Sequence, residues 1–264
     1  DPALQLERNT ETHQTVLWGT GEAHLDVGLE RLARKFGVGV QEIPLRIAYR
    51  ETVKGNAQGI GRHVKQSGGH GQYGIAHVEV EPLERGAGFE FVDKIVGGVI
   101  PNQFIPSVHK GIERAMAEGT LAGYPVVDLK ATLFDGKYHP VDSSDIAFQL
   151  AGALAFKDAA EKAGLTLLEP IYDLAVIVPE SYLGEVMGDL NGKRGRIQGT
   201  ESIGGGRHAI KVKVPQGEIV RYAIDLRSMT AGQGTFRMSF SHYEDVPAHL
   251  VDKIVAESKE EKES

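Results

Sequence analysis

Apolar and polar residues alternate through Ile75, His77, Val78, Glu79, Val80 and Glu81, and again through Val127, Leu129, Ala131 and Leu133. Period-two alternation predicts strands with one buried face. Asn56–Lys65 reads as a strand paired to the first of these across a glycine-rich tip, which makes a long hairpin. Helical spacing takes over at Ala23, Val27, Leu29, Leu32, Ala33 and Phe36, and Gly37 stops that helix. A second helix is predicted within Asn102–Gly119, from Val108, Ile112, Ala115 and Met116. A third runs Asp145–Ala163, with Ser143 or Ser144 as its cap and Ile146, Phe148, Leu150, Ala151, Leu154 and Ala155 as apolar positions. Asp135-Gly136 reads as a turn.

These elements group into three units. Residues 1–43 give strand, strand, helix, strand, with Val38–Ile43 as the last strand. That is a ferredoxin-like sandwich lacking its first strand and helix, and half a sandwich leaves an apolar face uncovered. Residues 44–165 hold the hairpin and two helices. Residues 166–257 give strand Ile171–Val178, a helix from Pro179 to about Asn191, a hairpin across Gly204-Gly205-Gly206, a helix near Gly217–Ser228 and strand Thr235–Tyr243. That order is the complete ferredoxin-like pattern. Pro247–Glu257 is predicted as a terminal helix, followed by a charged, solvated tail over 258–264. The fold class expected is α+β, multi-domain, with sandwiches flanking a central domain that carries a protruding hairpin.

The tip reads Lys65-Gln66-Ser67-Gly68-Gly69-His70-Gly71-Gln72-Tyr73-Gly74. Glycine admits positive φ and close backbone approach, while Lys, Gln, Ser, His and Tyr suit phosphate, ribose hydroxyl and base faces. Gly69-x-Gly71-x-x-Gly74 formally matches the dinucleotide fingerprint, but a strand pattern follows it where a helix is required. A glycine-rich turn with no ligand is the competing reading.

The chain has 264 residues, no cysteine and a formal net charge of −7. Disulfides and cysteine-based zinc sites are excluded, which fits a reducing cytoplasm. No apolar run is long enough to span a bilayer. The first residues are Asp1-Pro2, so the expectation is that the chain begins inside a longer protein. Charge is unevenly placed. Arg46, Arg50, Lys54, Arg62 and Lys65 face only Glu51 across Pro44–Val78, and nine Lys or Arg face three acids across Leu190–Arg237. Basic stretches on an acidic body suit local contact with RNA, although a solvated face explains any single run as well.

Candidate chemistry is sparse. The phosphate-binding pattern G-x-x-x-x-G-K-[ST] is absent, because Gly136-Lys137 runs into Tyr138 and Gly192-Lys193 into Arg194. His139, Asp142, Ser143, Ser144 and Asp145 resemble a hydrolase cluster, but no G-x-S-x-G accompanies them and the serines are explained as helix caps. The ten histidines show no metal-ligand spacing. No catalytic residue, metal or cofactor is expected in this chain. After a helix, Arg227-Ser228-Met229-Thr230-Ala231-Gly232-Gln233-Gly234 offers groups suited to phosphate, or else a plain helix C-terminus.

Several motifs together resemble the C-terminal half of the bacterial elongation factor G family, the ribosomal translocases. They are Gly19-Thr20-Gly21-Glu22-Ala23-His24-Leu25, Ala48-Tyr49-Arg50-Glu51-Thr52, Gln66 to Gly74, Gly88-Phe89-Glu90-Phe91, Gly97-Gly98-Val99-Ile100-Pro101, Tyr138-His139 with Val141-Asp142-Ser143-Ser144, Leu168-Glu169-Pro170, and Asp225-Leu226-Arg227-Ser228-Met229-Thr230. They occur in family order over nearly the whole chain. The resemblance implies an incomplete domain III, a domain IV and a domain V. It implies that the parent protein is a cytoplasmic, monomeric GTPase whose GTP and Mg sites lie in preceding domains.

By the same resemblance, domain IV enters the ribosomal A site on the small subunit, with Lys65, Gln66, Ser67, Gly68, Gly69, His70, Tyr138 and His139 near the tRNA and mRNA. Arg227, Ser228, Thr230 and Gln233 would face rRNA in the GTPase-associated region of the large subunit. The chain departs from the family pattern at His70, Ile75, Pro140 and Gln233, and His70 and Gln233 stand where arginine is usual. These departures open the alternative of a paralogue acting in ribosome recycling or ribosomal protection. The reading from a different class is an independent small-ligand enzyme built on the glycine loop or the Ser/His/Asp cluster.

Overall fold

The computed structural model describes residues 2–9, 11–19, 21–65 and 71–263. It is an α+β chain that separates into two units, residues 1–48 with 169–242 and residues 49–168 with 243–264. The first and third segments read from the sequence thus cluster together. The second keeps the end of the chain.

In the unit holding the hairpin, β3 (Arg50–Val53) precedes β4 (Ala57–Lys65) and β5 (Gln72–Pro82). β6 (Phe89–Asp93), α2 (Ile105–Glu118), β7 (Leu129–Lys137) and α3 (Asp145–Ala163) follow. The sheet order is β4-β5-β7-β6, antiparallel except for the parallel β6–β7 pair. Asp135-Gly136 is strand, not turn. It stays in β7 opposite His77 and Ala76, beside a register shift that absorbs an extra residue.

α3 begins where its cap predicts, with Ser144 Oγ accepting from Ala147 N. Its buried face is made of Ala147, Phe148, Ala151, Gly152, Ala155, Phe156, Ala159, Ala160 and Ala163. Ile146, Leu150 and Leu154, expected inside, lie exposed. Small residues win that face because the sheet comes so close. A methyl added to Gly59 or Gly61 on β4 would strike the α3 backbone at Ala155 and Ala159, or at Ala151 and Ala155. The core is completed by Val78, Val80, Leu129, Leu133, Val108 and Ile112, with Phe104 stacked on Phe148 at 4.9 Å.

The C-terminal helix, α6 (Ala248–Glu263), belongs to this unit. Ile254 packs with Ala122, Leu167 and Val246. The helix runs past Glu257 through the stretch expected as a solvated tail. Ser258, expected in solvent, is buried and donates through Oγ to the Ala122 carbonyl at 2.7 Å, which ties the last turns down.

Glu51 is also fully buried here. Its carboxylate accepts the backbone N–H groups of Thr120, Leu121, Ala122, Gly123 and Tyr124 at 2.7–3.1 Å. A charge removed from water survives because those donors replace its hydration.

In the other unit, β8 (Leu165–Pro179), α4 (Leu183–Gly192), β9 (Arg196–Gly204), β10 (Arg207–Pro215), α5 (Tyr222–Met229) and β11 (Thr235–Asp245) give the expected ferredoxin-like order, with sheet order β11-β8-β10-β9. Leu174, Val176, Val178, Ile210, Val212 and Val214 face Val186 and Leu190 of α4 and Leu226 of α5. The expected break at 165/166 sits at the start of β8, and the clusters part after Leu168.

β1 (Gln5–Arg8) and β2 (Thr15–Trp18) form a hairpin, followed by α1 (Glu22–Phe36) with a left-handed Gly37 at its end. The third strand expected at Val38–Ile43 does not form. No ladder partner reaches it among the described residues. Instead the Gln14 side chain holds the segment just beyond, donating to Pro44 O and accepting from Arg46 N, both at 2.8 Å. Val38, Val40 and Ile43 remain exposed and α1 buries no residue, so the half-sandwich does leave apolar surface uncovered.

Candidate nucleic-acid interface

β4 and β5 pair in register from Ala57–Val80 out to Lys65–Gln72. The alternation that predicts this ladder also decides what each face does. Gly59, Gly61, His63 and Gly74 point to α3 or are buried, while Ile60, Arg62 and Lys65 are exposed. Gln66, Ser67, Gly68, Gly69 and His70, which carry most of the expected tip contact, lie outside the described residues.

From Gly71 on, the hairpin is joined to the second loop. Gly71 N donates to Asp142 Oδ1 at 3.0 Å, and Tyr73 N donates to the Asp142 carbonyl at 2.9 Å. Ser143 Oγ donates to the Tyr73 carbonyl at 2.8 Å and accepts from His139 N at 2.9 Å. The two loops, 70 residues apart in sequence, therefore present one surface. Gly74 fits against Ala147 at the start of α3, where an added methyl would come within 2.9 Å of the Ala147 carbonyl. On the inner side, His63 Nε2 and Gln72 Oε1 are 2.7 Å apart, so Gln72, read from sequence as an outward group, turns back to a buried histidine.

His139 is half exposed, with Tyr73 tilted beside it at 6.0 Å between ring centres. Its Nδ1 accepts from Asp142 N at 3.2 Å and lies 3.3 Å from Asp142 Oδ2. Nδ1 thus faces both a backbone N–H and a carboxylate oxygen of the same residue. Tyr138 is 41% exposed. Arg62, Lys65 and Lys137 are exposed cations on the strands that end here. The surface thus offers ring faces, an imidazole and a few cations on a braced backbone, a set suited to shaped RNA. The Ser/His/Asp cluster has no nucleophilic geometry, because the Ser143 hydroxyl gives its proton to a backbone carbonyl and Ser144 caps α3.

The second expected region spans the last turn of α5 and the loop after it. Arg227, Ser228 and Gln233 are exposed, and Thr230 is fully buried. Thr230 Oγ1 donates to Leu226 O at 2.7 Å and accepts from Gly234 N at 2.8 Å. Its side chain shapes the loop and is unavailable to a partner, a correction to the sequence expectation. The Arg227 guanidinium lies over Gly21, at the start of α1.

Comparison with known proteins covers nearly the whole chain. The family model for elongation factor G domain III matches residues 1–42, that for domain IV residues 45–164, and that for the elongation factor G C-terminus residues 166–254. The chain belongs to the elongation factor G family. An elongation factor G-like protein of Mycobacterium tuberculosis is 56% identical over 97% of the chain, and elongation factor G of Aquifex pyrophilus is 53% identical over 97%. The chain spans only 36% and 37% of their lengths. A crystal structure from Thermus thermophilus superposes on 98% of the chain with a TM-score of 0.85 and 44% identity, and the match covers 39% of that structure.

Within elongation factor G, the hairpin and the 138–143 loop lie in the stretch matched as domain IV, and Arg227 to Gln233 in the stretch matched as the C-terminus. Two features of the site escaped sequence reasoning. Asp142 bridges the loops, a role that its place in the Ser/His/Asp cluster of the sequence does not suggest. Arg207 donates to the Gln233 carbonyl at 3.0 Å from across 26 residues, a pairing that no local pattern signals.

Proposed function

We propose that this chain is the ribosome-binding part of an elongation-factor-G-type translational GTPase, whose domain IV enters the ribosomal A site on the small subunit while tRNA and mRNA move. The observation that carries this reading is the joining of two loops at the end of a long hairpin by Asp142, Ser143 and Tyr73. Such a tip needs no bond chemistry. It needs a fixed shape that displaces other hydrogen-bonding partners and blocks their return. Lys65, His139 and Tyr138 would meet RNA directly, with Gln66 to His70 between them, while Arg227, Ser228 and Gln233 would face rRNA of the large subunit. GTP hydrolysis, with its Mg ion, would belong to the part of the parent outside this chain, and the protein would act in the cytoplasm as a monomer.

The test is translocation by the full-length protein carrying Lys65→Ala and His139→Ala together. A clear slowing with unchanged folding supports the reading, and an unchanged rate sinks the tip assignment.

A second reading keeps the ribosome and changes the task. The 56% identity to a protein described as elongation factor G-like, beside 53% to an elongation factor G, supports a paralogue, for which we infer a task in recycling or protection. Splitting of ribosomes by the full-length protein without translocation would select it.

A further inference from the structure

The end of the sheet in the unit holding Arg207 carries two bare turns. Gly204, Gly205 and Gly206 join β9 to β10 with φ of 85°, 61° and 69°, and a methyl built on any of them would meet nothing within 4 Å. Ala231 and Gly232, at φ of 49° and 79°, turn the chain between α5 and β11. Left-handed turns strip side chains from the surface and leave backbone exposed. Pro179, Gly205, Gly206, Arg207 and Gln233 line one cleft of about 390 Å³ between these turns. Its single cation is Arg207, whose Nη2 donates to the Gln233 carbonyl at 3.0 Å. That bond uses one of five guanidinium N–H donors and fixes the fork, leaving the rest for an incoming acceptor.

We propose that this cleft holds one phosphate of an RNA backbone, with Arg207 as its anchor and the exposed backbone of the Gly204–Gly206 turn bordering the nucleotide. The proposal rests on the ribosome-binding reading and deepens it. It adds a residue outside the sequence-expected set and explains what the buried Thr230 does there. Thr230 holds the 230–234 loop in the shape that puts the Gln233 carbonyl under the guanidinium. The chemistry recognised is a phosphodiester, because a planar fork matches phosphate oxygens and the bare turns admit a bulky sugar-phosphate chain. Base identity is not read, since no aromatic or amide side chain other than Gln233 lines the cleft.

The experiment is cosedimentation of this chain with purified bacterial ribosomes across a salt series, for the unaltered chain, Arg207→Gln, Arg207→Lys and, in the other unit, Lys110→Gln. One lost phosphate contact lowers the slope of log affinity against log salt by about 0.7–0.9. Arg207→Gln is expected to show that drop together with a roughly tenfold loss at low salt. Arg207→Lys keeps the charge and so the slope, but binds more weakly for want of the fork. Lys110→Gln changes neither. Equal slopes for Arg207→Gln and the unaltered chain overturn the anchor while leaving ribosome binding intact. Absence of binding by the unaltered chain at low salt overturns the ribosome reading itself, and this proposal with it. Circular dichroism of Arg207→Gln separates lost contact from lost fold.

Discussion

The Ser143 hydroxyl donates to the Tyr73 carbonyl at 2.8 Å, and its oxygen accepts from His139 N at 2.9 Å. One side chain thus ties the end of the hairpin to the loop that carries His139. Ser143→Ala removes both bonds and is expected to cost about 1–2 kcal/mol in urea unfolding. Hydrogen exchange should rise at His139 and neighbouring amides while α3 stays protected. Unchanged exchange there would show that Asp142 alone holds the loops together.

Glu51 accepts five backbone N–H groups, three at Oε1 and two at Oε2. Glu51→Gln turns one acceptor into a donor, so either amide orientation leaves at least two buried N–H groups facing an NH2. The expected loss is about 3–5 kcal/mol, with amide exchange accelerated across Thr120–Tyr124. A midpoint within experimental error of the parent would mean that the 120–124 turn holds its shape without the carboxylate.

Gly61 faces the α3 backbone so closely that a methyl would overlap the Ala151 carbonyl, whereas a methyl on Gly199 meets nothing. Gly61→Ala should destabilise by roughly 2 kcal/mol or more through overpacking. Gly199→Ala should change stability little. The pair measures packing against the same chemical change, and equal effects would refute the close contact.

The Tyr222 hydroxyl is buried and finds no hydrogen-bond partner among the described residues. Burial, and next the Asp189 and Asp225 carboxylates, push its phenol well above the usual range. Below the unfolded phenol's pKa of about 10 this group contributes its full share of stability. Above it the unfolded chain sheds a proton that the folded chain keeps, so stability falls as pH rises. Tyr222→Phe should flatten that alkaline decline and add about 1 kcal/mol at neutral pH by deleting an unpaired polar atom. Its ring contact with Phe236, at 5.4 Å between centres, is retained. Parallel pH profiles for the two proteins would count against this assignment.

Legibility in the sequence followed the range of the forces involved. The α3 cap at Ser144, the hairpin ladder and the ferredoxin-like order rest on local pattern and were readable. Asp135-Gly136 misled because pairing with β5 overrides a turn dipeptide. Ile146, Leu150 and Leu154 misled because glycines on a distant strand, not helical periodicity, choose which α3 face can approach the sheet. Ser258 looks like tail until Ala122, 136 residues away, supplies its acceptor. At the candidate site, the places of Asp142, Arg207 and the inward Thr230 depend on contacts between loops, which no local pattern carries.

At Gly59, Gly61 and Gly74 no side chain separates the hairpin backbone from α3. In mechanical terms, the two are laminated. A load applied at the tip cannot bend the strands without shearing them along the helix, and close-packed contact of low compressibility transmits that strain. The arm therefore behaves as a strut that delivers displacement to its base with little lost to flexure.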